Sequence, residues 1–205
     1  MEKVPVLKYY RTHTNVLPPE KQTKEAACYD LHAHLKIDEG KHRGVTLYTP
    51  DNKVIEMVSP HKDTITGMTL SFTEVKVVIP PRHRAIIPTG IVFDIPSGYS
   101  VRLHPRSGLS IKKGFIVANC EGVIDSDYFH EIKALMVNNS DEEIIVEHGD
   151  RICQAELIKC TDHTILETFD EPKQKTNRIG GLGSTGISLK PPVYSMSCND
   201  PNKNS

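Results

Sequence analysis

The apolar positions of this chain fall in short runs rich in Val and Ile, and Gly, Pro and Asn punctuate them. A sustained 3.6-residue period is almost absent. Short runs bounded by turn residues predict an all-β domain built from many short strands. The runs place strands at 4–9, 26–35, 75–79, 84–89, 91–95, 99–103, 115–118, 132–137, 144–146 and 151–158. Between 36 and 73 the composition shifts. There, strands at 45–48 and 54–58 flank a Pro50-Asp51-Asn52 centre, which predicts a hairpin, and a further run covers 68–72. This segment reads as an insertion with its own small sheet, dividing a body made of 1–35 and 74–160.

One short helix is predicted, within 104–114. Pro105 pre-sets the backbone near its start, Ser107 can cap it, and Leu109 and Ile111 offer apolar contacts. Lys112 and Lys113 suit its C-terminal end, and Gly114 terminates it. The free N–H groups of a helix start, with Arg106 and Ser107 beside them, are the parts of a phosphate site. A plain strand connection with a capping serine accounts for the same residues. After 161 the apolar content falls. The stretch 176–186, TNRIGGLGSTG, sets four glycines near Arg178, and consecutive N–H groups in such a stretch can form an anion-binding nest. It lacks the Lys-Ser or Lys-Thr of a P-loop, and a flexible linker would have a similar composition. The tail at 187–205, rich in Pro, Asn and Ser, is expected to be disordered.

The stretch with the densest chemistry is 122–131, GVIDSDYFHE, with Asn119 just ahead of it. It sets Asp125, Asp127 and Tyr128 on a turn between two apolar runs, a rigid place to hold an acid and a ring. Asp-Ser-Asp is also ordinary turn chemistry, because both residue types bond their own backbone there. The other segments decide between the two.

Charge narrows the partners. Lys and Arg number 25 against 26 Asp and Glu, so no field of one sign would draw in nucleic acid or an anionic membrane, and basic residues must act locally. No apolar run is long enough to span a bilayer, and the first residues lack a signal-peptide layout; a soluble, cytoplasmic protein is expected. The five cysteines are odd in number and widely spaced, which argues for reduced thiols over a disulfide frame or a zinc cluster. His32 and His34 are the only close histidine pair, and a half-exposed strand explains them as well as a metal does. The His-x-Glu and Pro-Cys-x-x-Cys signature of zinc nucleobase deaminases is missing.

Five motifs in chain order carry a family likeness: AACYDL from Ala26, PRSGLS from Pro105, GVIDSDY from Gly122, GDRICQ from Gly149 and RIGGLGSTG from Arg178. With them the chain resembles the trimeric deoxyuridine triphosphate nucleotidohydrolases, or dUTPases. The resemblance implies a β-barrel-like jelly roll (β-clip fold) with one short helix and a mobile C-terminal arm at 161–186. It implies a homotrimer whose active sites draw on more than one subunit. The implied reaction is Mg2+-assisted cleavage of dUTP to dUMP and pyrophosphate, which lowers dUTP and supplies dUMP for thymidylate synthesis.

Roles carry over residue by residue. Asp125 resembles the general base that activates water against the α-phosphorus. Tyr128 resembles the ring packed on deoxyribose, leaving no room for a 2′-hydroxyl. Asn119 and the backbone of Gly122, Val123 and Ile124 resemble the hairpin that reads uracil, and Lys133 is placed with these substrate-binding residues. Arg106, Ser107 and Gly108, joined by Gln154, resemble the phosphate clamp. Asp30 lies in the motif that holds water around the metal; the triphosphate supplies most magnesium ligands, so few protein carboxylates are needed. Arg178 with Gly181, Leu182, Gly183 and Ser184 resembles the arm that closes over the nucleotide in a neighbouring subunit's site.

Three departures stand out. Cys28 occupies a position where the family usually has glycine, and Phe129-His130 replaces an arginine-glycine or glutamine-glycine pair. Leu182 stands where a phenylalanine ring usually covers the uracil, a loss on the order of 1 kcal/mol if aromatic pairing is the guide. The insertion at 36–73 has no counterpart in compact family members and suits some phage and viral relatives, where the compartment would be the host cytoplasm; it is a candidate contact for a protein partner. Two rival functions follow from the same features. A dCTP deaminase, including its bifunctional form, shares the fold and the PRSG element but uses a glutamate in a different local pattern. A regulatory binding protein would use the nucleotide pocket as a switch and the insertion as its contact. A β-structured trimeric scaffold without ligand leaves Asn119, Asp125, Tyr128 and the glycine-rich arm unexplained.

Overall fold

The computed structural model describes residues 4–38, 41–57 and 75–177, which fall into two compact units, 1–163 and 164–205. The first unit holds every strand among the described residues. In chain order these are β1 (Lys8–Arg11), β2 (Tyr29–His32), β3 (Lys36–Asp38), β4 (Lys41–His42), β5 (Val45–Tyr48), β6 (Val54–Met57), β7 (Lys76–Ile79) and β8 (Arg84–Pro88). They continue with β9 (Ile91–Asp94), β10 (Tyr99–His104), helix α1 (Ser107–Lys113), β11 (Phe115–Val117) and β12 (Gly122–Ile124). The last three are β13 (Lys133–Asn138), β14 (Ile144–Glu147) and β15 (Arg151–Lys159). In the second unit, 164–177 carry no regular element, and Ile165, Leu166 and Phe169 are exposed.

Every pairing is antiparallel. A five-stranded sheet runs β11-β13-β8-β5-β6 and a four-stranded sheet runs β12-β10-β15-β2, with three two-stranded ribbons beside them. Period-2 alternation explains why these segments are strands. Ala134, Met136 and Asn138 of β13 point inward while Lys133 and Leu135 point out; β14 buries Ile144 and Val146 and exposes Ile145 and Glu147. The inward rows meet in one apolar cluster, to which Val45, Ile87, Phe115 and Met136 come from one sheet and Leu31, Val101, Leu103 and Ile152 from the other.

Four local expectations change. The first strand begins at Lys8, because 4–7 find no ladder partner and β1 pairs with β9 over Lys8–Arg11. The hairpin at 45–57 does not make a small sheet of its own: Thr46, Leu47 and Tyr48 pair with Ile86, Ala85 and Arg84 of β8, and Val45 and Leu47 are buried in the core. Helix α1 is capped by Arg106 in extended conformation with no side-chain cap bond, so Ser107 is its first residue and not its cap. Its last turn does end as expected, with Lys112, Lys113 and a left-handed Gly114. Lastly, 122–124 form a true strand and not only the approach to a turn. The strand expected at 68–72 and the tail at 187–205 lie outside the described residues. Among the described residues no helix is long and apolar enough to cross a membrane.

Candidate functional site

β12 is a three-residue strand held against β10, with Gly122 opposite Leu103, Val123 opposite Arg102 and Ile124 opposite Val101. Gly122 is required by the close approach: a Cβ there would sit 3.0 Å from the Leu103 Cβ. This strand leads into the Asp125 turn, which closes when the Tyr128 N–H donates to the Asp125 carbonyl at 3.2 Å. The Tyr128 hydroxyl donates to the Glu131 carbonyl at 3.3 Å, and the His130 ring stands edge-on to it with centroids 5.6 Å apart. Asp125, Asp127 and Tyr128 are thus exposed side chains on a turn with fixed ends.

These elements border a cleft with about 340 Å³ of free space. Asn119, Gly122, Val123, Ile124, Asp125, Tyr128 and Lys133 all line it, and Ile86, Leu103, Val117, Ala134, Leu135 and Cys153 complete the wall. The site is therefore apolar over most of its surface, with one carboxylate, one ammonium, one amide and one phenol at its polar positions. Such a wall suits a flat ring, with a few polar groups to orient it.

A second group lies in the four-stranded sheet and its exit. Asp30 of β2 is opposite Gln154 of β15 and is 6% exposed. Its Oδ1 faces the Arg106 Nε at 3.2 Å and its Oδ2 faces the Arg151 Nη1 at 3.1 Å. Arg106 also donates from Nη1 to the Arg151 carbonyl at 2.8 Å, and Gln154 donates from Nε2 to the Pro105 carbonyl at 2.9 Å. A carboxylate this enclosed is stable because two guanidiniums answer it. Two cations against one anion leave this group with one net positive charge. Arg151, which lies in the GDRICQ motif beside the chosen Gln154, is a member that sequence reasoning passes over; its place in a recognised motif is the signal for it.

Asp30, Arg106, Ser107, Gly108 and Gln154 do not line the cleft, so one chain holds the predicted residues in two separate groups. Arg178, Gly181, Leu182, Gly183 and Ser184 lie outside the described residues. A third feature escapes motif reading altogether. Glu131 receives both guanidinium nitrogens of Arg43 and the Gly90 N–H, and so anchors the end of the Asp125 turn to the segment at 36–73. His32 and His34 do not build a metal site: among the described residues they join no third ligand, and His34 is instead buried between the rings of His13 and His148 at 5.4 and 5.3 Å.

Fold and cleft together define an antiparallel β protein with an acid-and-ring pocket and a guanidinium pair set apart from it. The dUTPase family model matches residues 53–186. The chain is 46% identical over 124 residues to the deoxyuridine 5′-triphosphate nucleotidohydrolase of Finegoldia magna, covering 59% of this chain and 85% of that one. It is 34% identical over 180 residues to that of Nautilia profundicola, covering 88% and 98%. Among solved structures, the dUTPase of Staphylococcus bacteriophage 80alpha with dUpNHpp superposes with a TM-score of 0.62 at 19% identity, over 89% of this chain and 99% of that one. This chain belongs to the dUTPase family.

Proposed function

We propose that this chain hydrolyses dUTP to dUMP and pyrophosphate, as a homotrimer whose sites are completed between subunits. The observation that carries the reading is the convergence of Asn119, Gly122, Val123, Ile124, Asp125, Tyr128 and Lys133 on one cleft. In this reading the β12 backbone and Asn119 hold the uracil edge, and Tyr128 packs against the deoxyribose where a 2′-hydroxyl would collide. Asp125, which has no side-chain partner among the described residues and stands on the turn's exposed face, accepts a proton from the water that attacks the α-phosphorus. As the bond to the bridging oxygen breaks, pyrophosphate leaves and its growing charge is met by Arg106, Arg151 and the helix start at Ser107 and Gly108. Arg178 with 181–184 closes over the nucleotide.

The separation of cleft and guanidinium pair within one chain supports a shared site, in which one subunit offers the cleft and another the phosphate-binding group. The donor set also bears on the metal. Among the described residues no cage of hard oxygen ligands exists, and both oxygens of Asp30 already face arginines. These residues fit an ion held by triphosphate oxygens and water, with Asp30 reaching it only through water. Mg2+ bound in that way neutralises phosphate charge in the transition state.

The test is turnover by the purified full chain with Mg2+, following pyrophosphate from dUTP and ammonia from dCTP. Asp125→Asn is expected to lower kcat by about 10²–10⁴ with little change in KM. Ammonia release from dCTP, or an Asp125→Asn variant of full activity, would overturn the reading.

A further inference from the structure

Cys28, His104 and Glu156 place one thiol sulfur, one ring nitrogen and one carboxylate oxygen within 4.8 Å of one another, each on a half-buried side chain. They are the only such trio among the described residues. The sheet register explains the meeting. Tyr29 is opposite Ala155, so the residue before it on the β2 side comes alongside Glu156, and His104 is opposite Gln154 on the other flank of β15. The strands β10 and β15 and the residue just ahead of β2 thus each contribute one ligand-type side chain, His104 standing two residues along β10 from the position opposite Glu156.

We propose that this trio is a zinc-binding site, with Cys28, His104 and Glu156 as protein ligands and a fourth position open to water. The donor set is the first argument. A thiolate, an imidazole and a carboxylate together suit Zn2+, whereas Mg2+ takes oxygen ligands and binds sulfur poorly. Spacing is the second. Ligands about 2.0–2.3 Å from a tetrahedral zinc lie about 3.5 Å from each other. The His104 Nε2 is already 3.2 Å from the Glu156 Oε2, and the sulfur needs a shift of only about 1 Å to join them.

The surroundings of the imidazole supply the third argument. Its other nitrogen, Nδ1, faces the Glu121 Oε1 at 3.8 Å, and Glu121 is itself held by the Arg102 Nη1 at 3.5 Å. A carboxylate on the side of the second ring nitrogen is the partner that a metal-bound histidine commonly uses, once the two close to hydrogen-bond distance. Cys28 and Glu156 each lie two residues along the chain from Asp30 and Gln154. The zinc site would therefore sit beside the proposed phosphate-facing group without sharing a ligand with it, and it does not depend on the dUTP reading.

The test uses the full chain, stripped with chelator and kept under a non-thiol reductant. Zn2+ is titrated against a chromophoric chelator, and Co2+ is added in parallel as a spectroscopic substitute. One Zn2+ per chain is expected with Kd below about 1 µM. Co2+ is expected to give a sulfur-to-cobalt charge-transfer band with the strong visible bands of tetrahedral coordination. Cys28→Ser should remove the charge-transfer band and weaken Zn2+ by more than about a hundredfold, and Glu121→Gln should weaken it by about ten- to a hundredfold. A chain with Cys120, Cys160 and Cys198 all changed to Ser should keep both signals, which separates this site from thiols elsewhere in the sequence. Absence of the band in the unaltered chain, its survival in Cys28→Ser, or its loss in the triple Ser variant would each overturn the assignment. Circular dichroism of each variant establishes that it is folded, and His104→Gln serves as the second ligand variant.

Discussion

Glu131→Gln probes the bond that ties the Asp125 turn to the rest of the body. Glu131 and Arg43 have side chains 12% and 18% exposed, and the pair is bidentate, with one bond at 2.6 Å between the Arg43 Nη1 and the Glu131 Oε1. The Gly90 N–H adds a third donor at 2.6 Å. Removing one partner of a buried ion pair leaves the other charge unanswered, at a cost of about 3–5 kcal/mol. Partial exposure and the hydrogen bond that glutamine can keep with Gly90 reduce this to about 2–4 kcal/mol. For a chain of this size that corresponds to a fall in Tm of about 5–15 °C. A double-mutant cycle with Arg43→Met isolates the pair, and the coupling is expected at about 1–3 kcal/mol. The functional consequence follows from position: Glu131 is the residue whose carbonyl receives the Tyr128 hydroxyl, so loosening it displaces the ring and the acid together. A displacement near 1 Å is worth up to about a hundredfold in rate. A single-variant cost below about 0.5 kcal/mol, or a coupling near zero, would refute the claim that Arg43 holds the turn.

Two further outcomes test the core. His34 is 1% exposed with no hydrogen-bond partner on either ring nitrogen, and burial, aided by Arg43, His148 and His13, pushes its pKa down to about 4. A histidine pKa depressed in the folded state gives stability that is complete above about pH 6.5 and is lost as pH falls toward 4. The loss is about 3 kcal/mol at about 1.36 kcal/mol per unit. Urea unfolding from pH 7 to pH 4 should therefore fall by about that much more in the unaltered chain than in His34→Leu, and parallel pH profiles would refute it. The same wall is tested by Gly90→Ala: with φ at +73°, its Cβ would lie 2.4 Å from the Val16 Cγ2 and 3.1 Å from the His34 Cδ2. A cost of about 2–4 kcal/mol is expected, against about 1 kcal/mol for Gly98→Ala, whose φ is +79° but which meets nothing within 4 Å; equal costs would show that backbone strain alone decides.

What the sequence made legible was whatever acts within one segment. Alternation of side chains predicted β5, β7, β8, β13 and β14 closely, because inward and outward rows follow from the pleat alone. The motifs located the cleft residues because Asn119 to Tyr128 are neighbours in the chain. Segment-level reasoning misjudged the hairpin at 45–57, since nothing in its pattern states that β5 will pair with β8 almost forty residues on. It misplaced the helix cap for a different reason: the chain takes up helical dihedrals at Ser107, one residue earlier than a Ser107 cap requires, and Arg106 is the extended residue before it. The pairs Arg43 with Glu131 and Arg151 with Asp30 are 88 and 121 residues apart, and only the tertiary fold brings them together. Wide cysteine spacing argued against a zinc cluster for the same reason. Spacing rules describe ligands on one element, whereas the proposed trio draws Cys28 from just ahead of β2, His104 from β10 and Glu156 from β15.

The division of the predicted residues into two groups constrains how any dUTP site here can be assembled. The cleft offers a carboxylate and a ring for water and sugar, but its one cationic wall residue among the described residues is Lys133. A departing pyrophosphate carries several negative charges, and a carboxylate beside it repels them. Stabilisation would come from guanidiniums, and Arg106 and Arg151, which do not line the cleft, are both paired with Asp30. Asp30 is buried, and moving either arginine would leave it with one guanidinium fewer to answer its charge. Asp30 therefore ties both arginines to one place in the sheet, and under the proposal above the substrate would reach from one subunit's cleft to the arginines of another. In the shared site proposed above, the trimer would be part of the catalytic geometry, and the buried Asp30 would serve it by holding two arginines in one arrangement.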